Sequence, residues 1–383
     1  MIYFDNAATT FPKPNQVINA VNSALKTYSA NPGRSGHTLS QAAAEKIYEA
    51  RSKTAALFGF NGADKVVFTP NCTASLNYAI KGILKPGDRV LVSSLEHNAV
   101  MRPLTKLENQ GIETDVFEVV IGDGGATFRS FLNNLTPSTK MVVCTHASNV
   151  IGCIQPIEQI GNLCREEGII FVVDAAQSAG VLDIDVNKQC IDFLCVAAHK
   201  GLYAPMGTGV LLISGDYMPN TIIEGGTGTD SINFLQPKDA PERFESGTVN
   251  LPGIMGLSAG IDFITQKGID TIRKHEQDII KYIYKGLNSI RNIRLYTDLP
   301  DDNFAPVMSF NIGTENSLSV ASKLNDRNIA VRAGLHCAPN AHRRIGTIEQ
   351  GTVRVAPSAF TTKNDADILL NAVEFTAKSL KNA

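Results

Sequence analysis

Several short runs of this chain are apolar on nearly every residue. They are Arg89-Val90-Leu91-Val92, Met141-Val142-Val143-Cys144 and Ile169-Ile170-Phe171-Val172-Val173, with similar runs at Ile191 to Val196 and Gly209 to Ile213. A strand with one wet face alternates apolar and polar residues; one that is apolar throughout must be covered on both faces. Helical patterns lie between the runs, for instance Thr38 to Phe58 and Ile157 to Glu167. Buried strands separated by helices predict an α/β fold with a mostly parallel mixed sheet flanked by helices.

The texture changes after about residue 255. A helical stretch from Gly268 to Ile290, with Ile272, Ile279, Ile280, Ile283 and Leu287 at helical spacing, precedes a second group of strands. Those are expected at Pro306 to Ile312, Ile329 to Arg332 and Thr352 to Val355, before an amphipathic helix from about Lys363 to Leu380. The pattern predicts a large α/β domain over 16–255 and a smaller α+β domain over 256–383, with segment 1–15 packing against the smaller one. The Pro- and Gly-bearing stretch Asn250-Leu251-Pro252-Gly253 is the expected hinge.

Composition supports a folded, reduced protein. Of 383 residues, 43% are hydrophobic and 19% charged, enough apolar material for a sizeable core. Lys plus Arg total 35 against 37 for Asp plus Glu, a net charge of −2, which argues against a nucleic-acid binder or a basic membrane-surface protein. The seven cysteines (Cys72, Cys144, Cys153, Cys164, Cys190, Cys195 and Cys337) include no C-x-x-C pair, so neither a disulfide framework nor a structural zinc site is expected. His336 and His342 lack a third ligand at metal spacing. No basic-then-apolar leader follows Met1 and no apolar run approaches a membrane span, so the expected location is the cytoplasm.

Ligands in parallel α/β sheets sit beyond the carboxyl ends of the strands. There the sequence places Asp174 and Gln177, His199 and Lys200, Glu96, His97 and Asn98, and His146 and Asn149. The sharpest stretch is Ala197-Ala198-His199-Lys200-Gly201-Leu202-Tyr203-Ala204-Pro205-Met206-Gly207-Thr208-Gly209. A lysine directly after a buried strand is out of place as a solvated charge, and a desolvated lysine is what a Schiff base requires. The glycines that follow would let backbone approach a cofactor. Asp174, at the end of a neighbouring strand, suits a pyridinium nitrogen. The plainer alternative is a Gly-rich turn with a snorkelling lysine. Gly225-Gly226-Thr227-Gly228-Thr229-Asp230 matches neither a Walker loop nor a dinucleotide fingerprint and reads as a loop near the site.

Nearly end to end, the chain resembles the fold-type I, class V pyridoxal-phosphate enzymes, and among them the cysteine desulfurase and selenocysteine lyase group. The resemblance rests on ordered blocks: Tyr3-Phe4-Asp5-Asn6-Ala7-Ala8-Thr9-Thr10, Asn31-Pro32-Gly33-Arg34-Ser35-Gly36-His37, Glu96-His97-Asn98, Ser148-Asn149-Val150-Ile151-Gly152, Asp174-Ala175-Ala176-Gln177, His199-Lys200 and Arg243-Phe244-Glu245-Ser246-Gly247-Thr248. Arg332-Ala333-Gly334-Leu335-His336-Cys337-Ala338 resembles the short persulfide loop of the SUF-type subgroup.

The resemblance implies pyridoxal 5'-phosphate held covalently by Lys200. Asp174 would pair with the ring nitrogen, Gln177 would bond the phenolic oxygen, His97 would stack on the ring, and Asn149 would orient the phenolic oxygen or the substrate. The helix opening at Asn71-Cys72-Thr73 suits a phosphate, with Thr73 and His199 adding donors, Cys72 offering its backbone N–H, and Thr248 reaching in from the partner subunit of a homodimer. Arg354 would clamp the substrate carboxylate, with Arg34 and His37 in the active-site loop. Two departures from the family pattern stand out: Ala197 where a hydroxyl residue is common, and Asn71-Cys72-Thr73 in place of a Gly-Thr-Thr or Gly-Ala-Thr turn.

Cys337 would attack the substrate sulfur, leaving alanine and a persulfide, with His336 and Arg332 expected to supply positive charge that favours thiolate. The other six cysteines are expected to be inert. The implied activity is conversion of L-cysteine to L-alanine; selenocysteine lyase and class V aminotransferase are the alternatives. The persulfide acceptor would be a protein, such as an iron–sulfur scaffold or a tRNA-thiolation partner, or a small thiol.

Overall fold

The computed structural model of the chain describes residues 1–33, 36–229 and 231–380. Its main sheet has seven strands, in the spatial order Val66–Thr69, Gly209–Ile213, Phe193–Ala197, Ile170–Asp174, Thr139–Thr145, Arg89–Ser93 and Glu113–Phe117. The last five run parallel, while Gly209–Ile213 is antiparallel to both of its neighbours. Alternate residues of the central strands feed two separate cores. Leu91, Val142, Phe171, Val173, Leu194 and Val196 pack on one face, and Val90, Val92, Met141, Val143, Ile170, Val172 and Phe193 on the other. Each such side chain contributes about 1.5–3 kcal/mol on burial, and the two-sided burial accounts for the uninterrupted apolar runs.

A second sheet carries Arg332–Gly334, Thr352–Val355, Met308–Ile312 and Ile293–Leu295, all antiparallel to their neighbours. Its core joins Ile279, Ile280, Ile283 and Leu287 of helix Ile269–Ser289 to Leu369, Val373 and Ala377 of helix Lys363–Ser379. The chain's start is stitched into this region: Ile2–Tyr3 pairs in parallel with Ile329–Ala330, and Phe4 lies in the same core.

Two expectations are corrected. The stretch read as one strand over Ile329 to Arg332 divides at Val331, with Ile329–Ala330 serving the N-terminal segment and Arg332–Gly334 the second sheet. Asn250-Leu251-Pro252-Gly253 is not a hinge but the opening of helix Leu251–Lys267, where the Asn250 side chain accepts from the Gly253 N–H at 3.1 Å. Pro252 suits the first turn, whose amides have no helical acceptor. That helix passes residue 255 unbroken, and its Leu257, Ile261 and Ile264 belong to the core of the main sheet. The large layer therefore extends to about Gly268.

Candidate active site

Four strand ends deliver side chains to one hollow of about 110 Å³. Asp174 is the last residue of its strand, and Lys200 follows Phe193–Ala197 by three positions. Asn149 follows Thr139–Thr145, and His97 follows Arg89–Ser93. Thr73, at the N-terminus of helix Cys72–Ile83, closes the same hollow, which also contains Cys72, Gln177 and His199.

Burial, reinforced by the nearby charge of Arg354, lowers the Lys200 amine to about 8, while Asp174 pulls the other way. A neutral amine is thus within reach near physiological pH. Asp174 is buried; one of its oxygens accepts from the Ala176 N–H at 2.9 Å and from the Cys72 thiol at 3.5 Å. Cys72 therefore contributes its side chain as well as its backbone. Burial and then Asp174 raise that thiol well above the ordinary range, so it stays a neutral donor.

His97 caps helix Asn98–Glu108 by accepting the Ala99 N–H on Nδ1 at 3.0 Å. That bond assigns the ring proton to Nε2. Burial lowers its pKa, so the cavity meets a neutral, flat imidazole. His199 is lowered to about 4 by burial together with Lys200 and Lys13, and its Nδ1 is buried without a partner. His199 lines the hollow, and an orphaned buried ring nitrogen there suits a ligand's hydrogen-bonding group. In the same lining, the Asn71 side chain takes the Ala74 N–H at 3.0 Å. The Cys72 and Thr73 amides have no acceptor among the described residues, and with the helix dipole they suit an anion.

The cysteine loop closes over this floor. Leu335–Ala338 is a tight turn, with the Ala338 N–H donating to the Leu335 carbonyl at 2.9 Å. His336 and Cys337 occupy its centre with φ of 50° and 57°. The Asn98 N–H donates to the Cys337 carbonyl at 2.7 Å, and Asn149 Nδ2 donates to the His336 carbonyl at 2.7 Å. Cys337 itself is exposed, with Arg332 Nη2 3.9 Å from its sulfur.

His336 departs from expectation. It is buried, and burial followed by the Arg354 charge lowers it to about 2, so it supplies no cation to Cys337. It is the end of a neutral relay instead. The Thr347 hydroxyl bonds His342 Nδ1 at 2.7 Å, His342 Nε2 bonds His336 Nδ1 at 3.3 Å, and His336 Nε2 bonds the Arg332 carbonyl at 3.3 Å. Among the described residues, Arg332 is the cation bonded to the sulfur.

Arg354 lies on the second sheet with 1% of its side chain exposed. Its Nη1 donates to the Asn149 carbonyl at 3.0 Å, its Nη2 meets Asp5 Oδ1 at 2.9 Å, and its Nε is buried without a partner. Sequence reasoning did not assign Asp5 a role. Nor did it assign one to Lys13, which bonds the His199 carbonyl at 2.7 Å and so pins the turn that bears Lys200. Asp5 stands in the opening block and Lys13 three residues beyond it, and charged groups in a segment with no others were the available signal. Gln177 is tied to this segment too, through Nε2 to the Ala7 carbonyl at 3.0 Å.

Other expected residues lie elsewhere. His37 is an exposed N-cap that accepts the Ser40 N–H at 3.2 Å, and Arg34 falls outside the described residues. Thr248 is exposed and lines a different hollow of about 420 Å³, together with Thr227 and Thr229 of the Gly-rich stretch. Gly201 makes room for protein and not for a cofactor, because a Cβ there would stand 2.2 Å from the Ala179 carbonyl oxygen. Of the six remaining cysteines, five are buried and Cys190 is half-buried; among the described residues no cluster of His, Cys, Asp and Glu could hold a metal.

The pattern of the aminotransferase class-V family matches residues 2–369. The chain belongs to that family. Its relatives include a protein named probable cysteine desulfurase from Pyrococcus abyssi, 36% identical across 100% of this chain and 96% of its own. Another of that name, from Methanothermobacter thermautotrophicus, is 34% identical across 97% and 94%. Among solved structures, the apo cysteine desulfurase of Thermococcus onnurineus NA1 superposes with a TM-score of 0.91 at 32% identity, covering 99% of this chain and 95% of that one. The Escherichia coli cysteine desulfurase CsdA, in its S-sulfonic acid form, gives 0.86 at 26% identity over 99% and 95%. The family's fold is thus this chain's fold.

Proposed function

We propose that this protein is a pyridoxal 5'-phosphate-dependent cysteine desulfurase that converts L-cysteine to L-alanine and keeps the sulfur as a persulfide on Cys337. The observation that carries this reading is the docking of an exposed cysteine over a lysine floor. The His336 carbonyl is bonded from Asn149, which lines the hollow containing Lys200 and Asp174, and the Cys337 carbonyl from Asn98, between the lining residues His97 and Ala99.

The residues fit the cofactor group by group. Lys200 offers an amine for its aldehyde, Asp174 a buried carboxylate for its ring nitrogen, and His97 a neutral ring face. The free amides of Cys72 and Thr73 and the orphaned His199 nitrogen suit its phosphate. Gln177 and Asn149 stand beside the same hollow for its phenolic oxygen. Bound there, pyridoxal phosphate supplies an electron sink that weakens bonds at the substrate's α- and β-carbons.

The rest of the chemistry falls to the protein. Arg354 binds the substrate carboxylate. Lys200, with its amine near 8, takes and returns a proton at Nζ. Asp174 keeps a negative charge at the ring nitrogen, and the Cys72 thiol and Ala176 amide fix its orientation. Cys337 Sγ attacks the substrate sulfur; an S–S bond forms as the C–S bond breaks. The bonding pair stays with carbon, which gains a proton to become alanine. Arg332 holds positive charge beside the sulfur throughout.

A homodimer in which Thr248 reaches the partner's phosphate site accounts for an exposed threonine in a separate hollow. Seven unpaired cysteines favour a reducing compartment, and we place the protein in the cytoplasm. No helix among the described residues is long and apolar enough to cross a membrane. The persulfide passes to an acceptor protein or a small thiol. The test is alanine formation from L-cysteine by purified protein with its visible cofactor band. Alanine with equimolar sulfide under a reductant supports the reading; amino transfer to a keto acid without sulfide overturns it.

A further inference from the structure

Arg354 is a cation in a place that demands an anion. Its side chain is 1% exposed, and a guanidinium stays protonated at any pH a protein tolerates. Its ion-pair partner among the described residues is Asp5, at 2.9 Å. The two ends of that pair are buried unequally, because 23% of the Asp5 side chain faces solvent. No other side chain among the described residues bonds the Asp5 carboxylate.

The Asp5 backbone is fixed. It forms a parallel bridge with Ala356, flanked by the Ala356 N–H to the Phe4 carbonyl at 2.8 Å and by Asn6 Nδ2 to the Ala356 carbonyl at 2.9 Å. Only the side chain is free to turn. A partly exposed carboxylate that turns outward regains water, whereas Arg354 has no such route and must keep an anion beside it.

We propose that Asp5 is a resident competitor for the substrate carboxylate, holding Arg354 until substrate arrives and yielding its place by side-chain rotation into solvent. The proposal rests on the reading of Arg354 as the carboxylate clamp. The exchange replaces one carboxylate with another, so the buried charge stays paired in both states, and the Arg354 Nε, now without a partner, becomes available to the incoming group. Asn149 ties this exchange to the cysteine loop, because its carbonyl accepts from Arg354 and its side chain bonds the His336 carbonyl. Asp5 is thus a specificity-setting residue: a ligand with no carboxylate cannot replace it.

Binding of the product L-alanine and of L-alaninamide to the holoenzyme, measured by calorimetry, tests the idea. If the state with Asp5 turned away is on the order of 1–10% populated, Asp5→Asn tightens L-alanine binding about 10–100-fold and lowers the KM for L-cysteine. Alaninamide binding stays unchanged. Asp5→Glu, which keeps a competing carboxylate, stays near wild type. Sodium acetate raises the Tm of Asp5→Asn but not of wild type, a readout independent of turnover. Unchanged or weaker alanine binding in Asp5→Asn makes Asp5 a fixed orienter and overturns the proposal. A structure of the wild-type holoenzyme with alanine needs no variant: Asp5 still at its 2.9 Å contact would be equally fatal. If Arg354→Gln leaves alanine binding intact, the clamp itself is misassigned, a failure distinct from that of the competitor.

Discussion

Lys200 follows a strand buried on both faces, whereas Cys337 sits at the centre of a turn whose two middle residues both carry left-handed backbone. Around the lysine, burial is the main influence on each group whose pKa shifts: Lys200 falls to about 8, His199 to about 4, and the Cys72 thiol rises. Around the cysteine, the sulfur is exposed and only the backbone beneath it is tied down. The left-handed region costs a residue with a Cβ roughly 1 kcal/mol or more, and such turns normally use Gly, Asn or Asp. His336 and Cys337 accept that cost, with the neutral Thr347–His342–His336 relay and two carbonyl anchors holding the turn. The contrast follows from the chemistry. A cofactor must be held still in a dry pocket, whereas a sulfur carrier must reach inward and then be visited from outside.

That contrast breaks first at the lysine. Lys200→Ala is expected to abolish covalent cofactor attachment and turnover altogether, since among the described residues no other amine lines the hollow. Measurable normal turnover would remove Lys200 from the chemistry. In the wild-type apoprotein the capture of cofactor should follow a neutral amine: uptake rises with pH through about 8 and levels off above it, well below the 10.5 of a free lysine. Uptake still climbing at pH 10 would mean that burial does not tune this amine.

Cys337→Ala comes next. The cofactor band should be unchanged, because Cys337 does not line the hollow, while alanine formation from L-cysteine drops about a thousandfold, roughly 4 kcal/mol in barrier. Loss of the band together with activity would show that the turn supports the cofactor as well, and the division between the two ends would fail.

The two ends were also unequally legible in the sequence. Lys200, Asp174, His97 and Asn149 could be found because each follows an uninterrupted apolar run, and strand ends in a parallel sheet converge by topology alone. Their place in one hollow needed no side-chain detail. His336 was misread because a histidine beside a cysteine looks like a source of charge. Burial and then the Arg354 charge keep it neutral, and proximity in sequence says nothing of dielectric. Asp5 was read as part of a motif and nothing more, since its partner lies 349 positions away. The helix that runs through residue 255 was not legible for a similar reason: Pro252 marks a helix start as readily as a hinge, and the core that Leu257, Ile261 and Ile264 join shows only in the packing.

Asp174→Asn is expected to have a smaller effect than loss of either nucleophile. A neutral amide keeps the shape but cannot hold the ring proton, and losing a charge-assisted hydrogen bond of about 2–3 kcal/mol corresponds to roughly 30–150-fold in kcat. Because the Asp174 oxygen that accepts from Cys72 and Ala176 can be mimicked by an amide oxygen, the fold should persist. A wild-type rate with an unshifted cofactor band would take Asp174 out of the site.

Arg332→Gln probes the exposed end, where the effect should be smallest. The guanidinium lies 3.9 Å from the Cys337 sulfur, and two unit charges at that separation interact by about 1 kcal/mol in water. Its main chain stays in place in the variant, since His336 bonds the Arg332 carbonyl and Arg332–Gly334 remains paired with Thr352–Val355. Only the charge is removed. Alkylation of Cys337 by neutral iodoacetamide at low salt should therefore slow about two- to fivefold, with half-buried Cys190 as the internal reference. The difference should shrink in 1 M salt, where the Debye length of about 3 Å screens an exposed pair. At the lysine end salt should matter little, since Asp174 and Arg354 are buried and Lys200 is desolvated beside them. A slowing that persists at high salt would mean that Arg332 acts by shaping the turn, and one absent at low salt would leave Cys337 without an electrostatic partner.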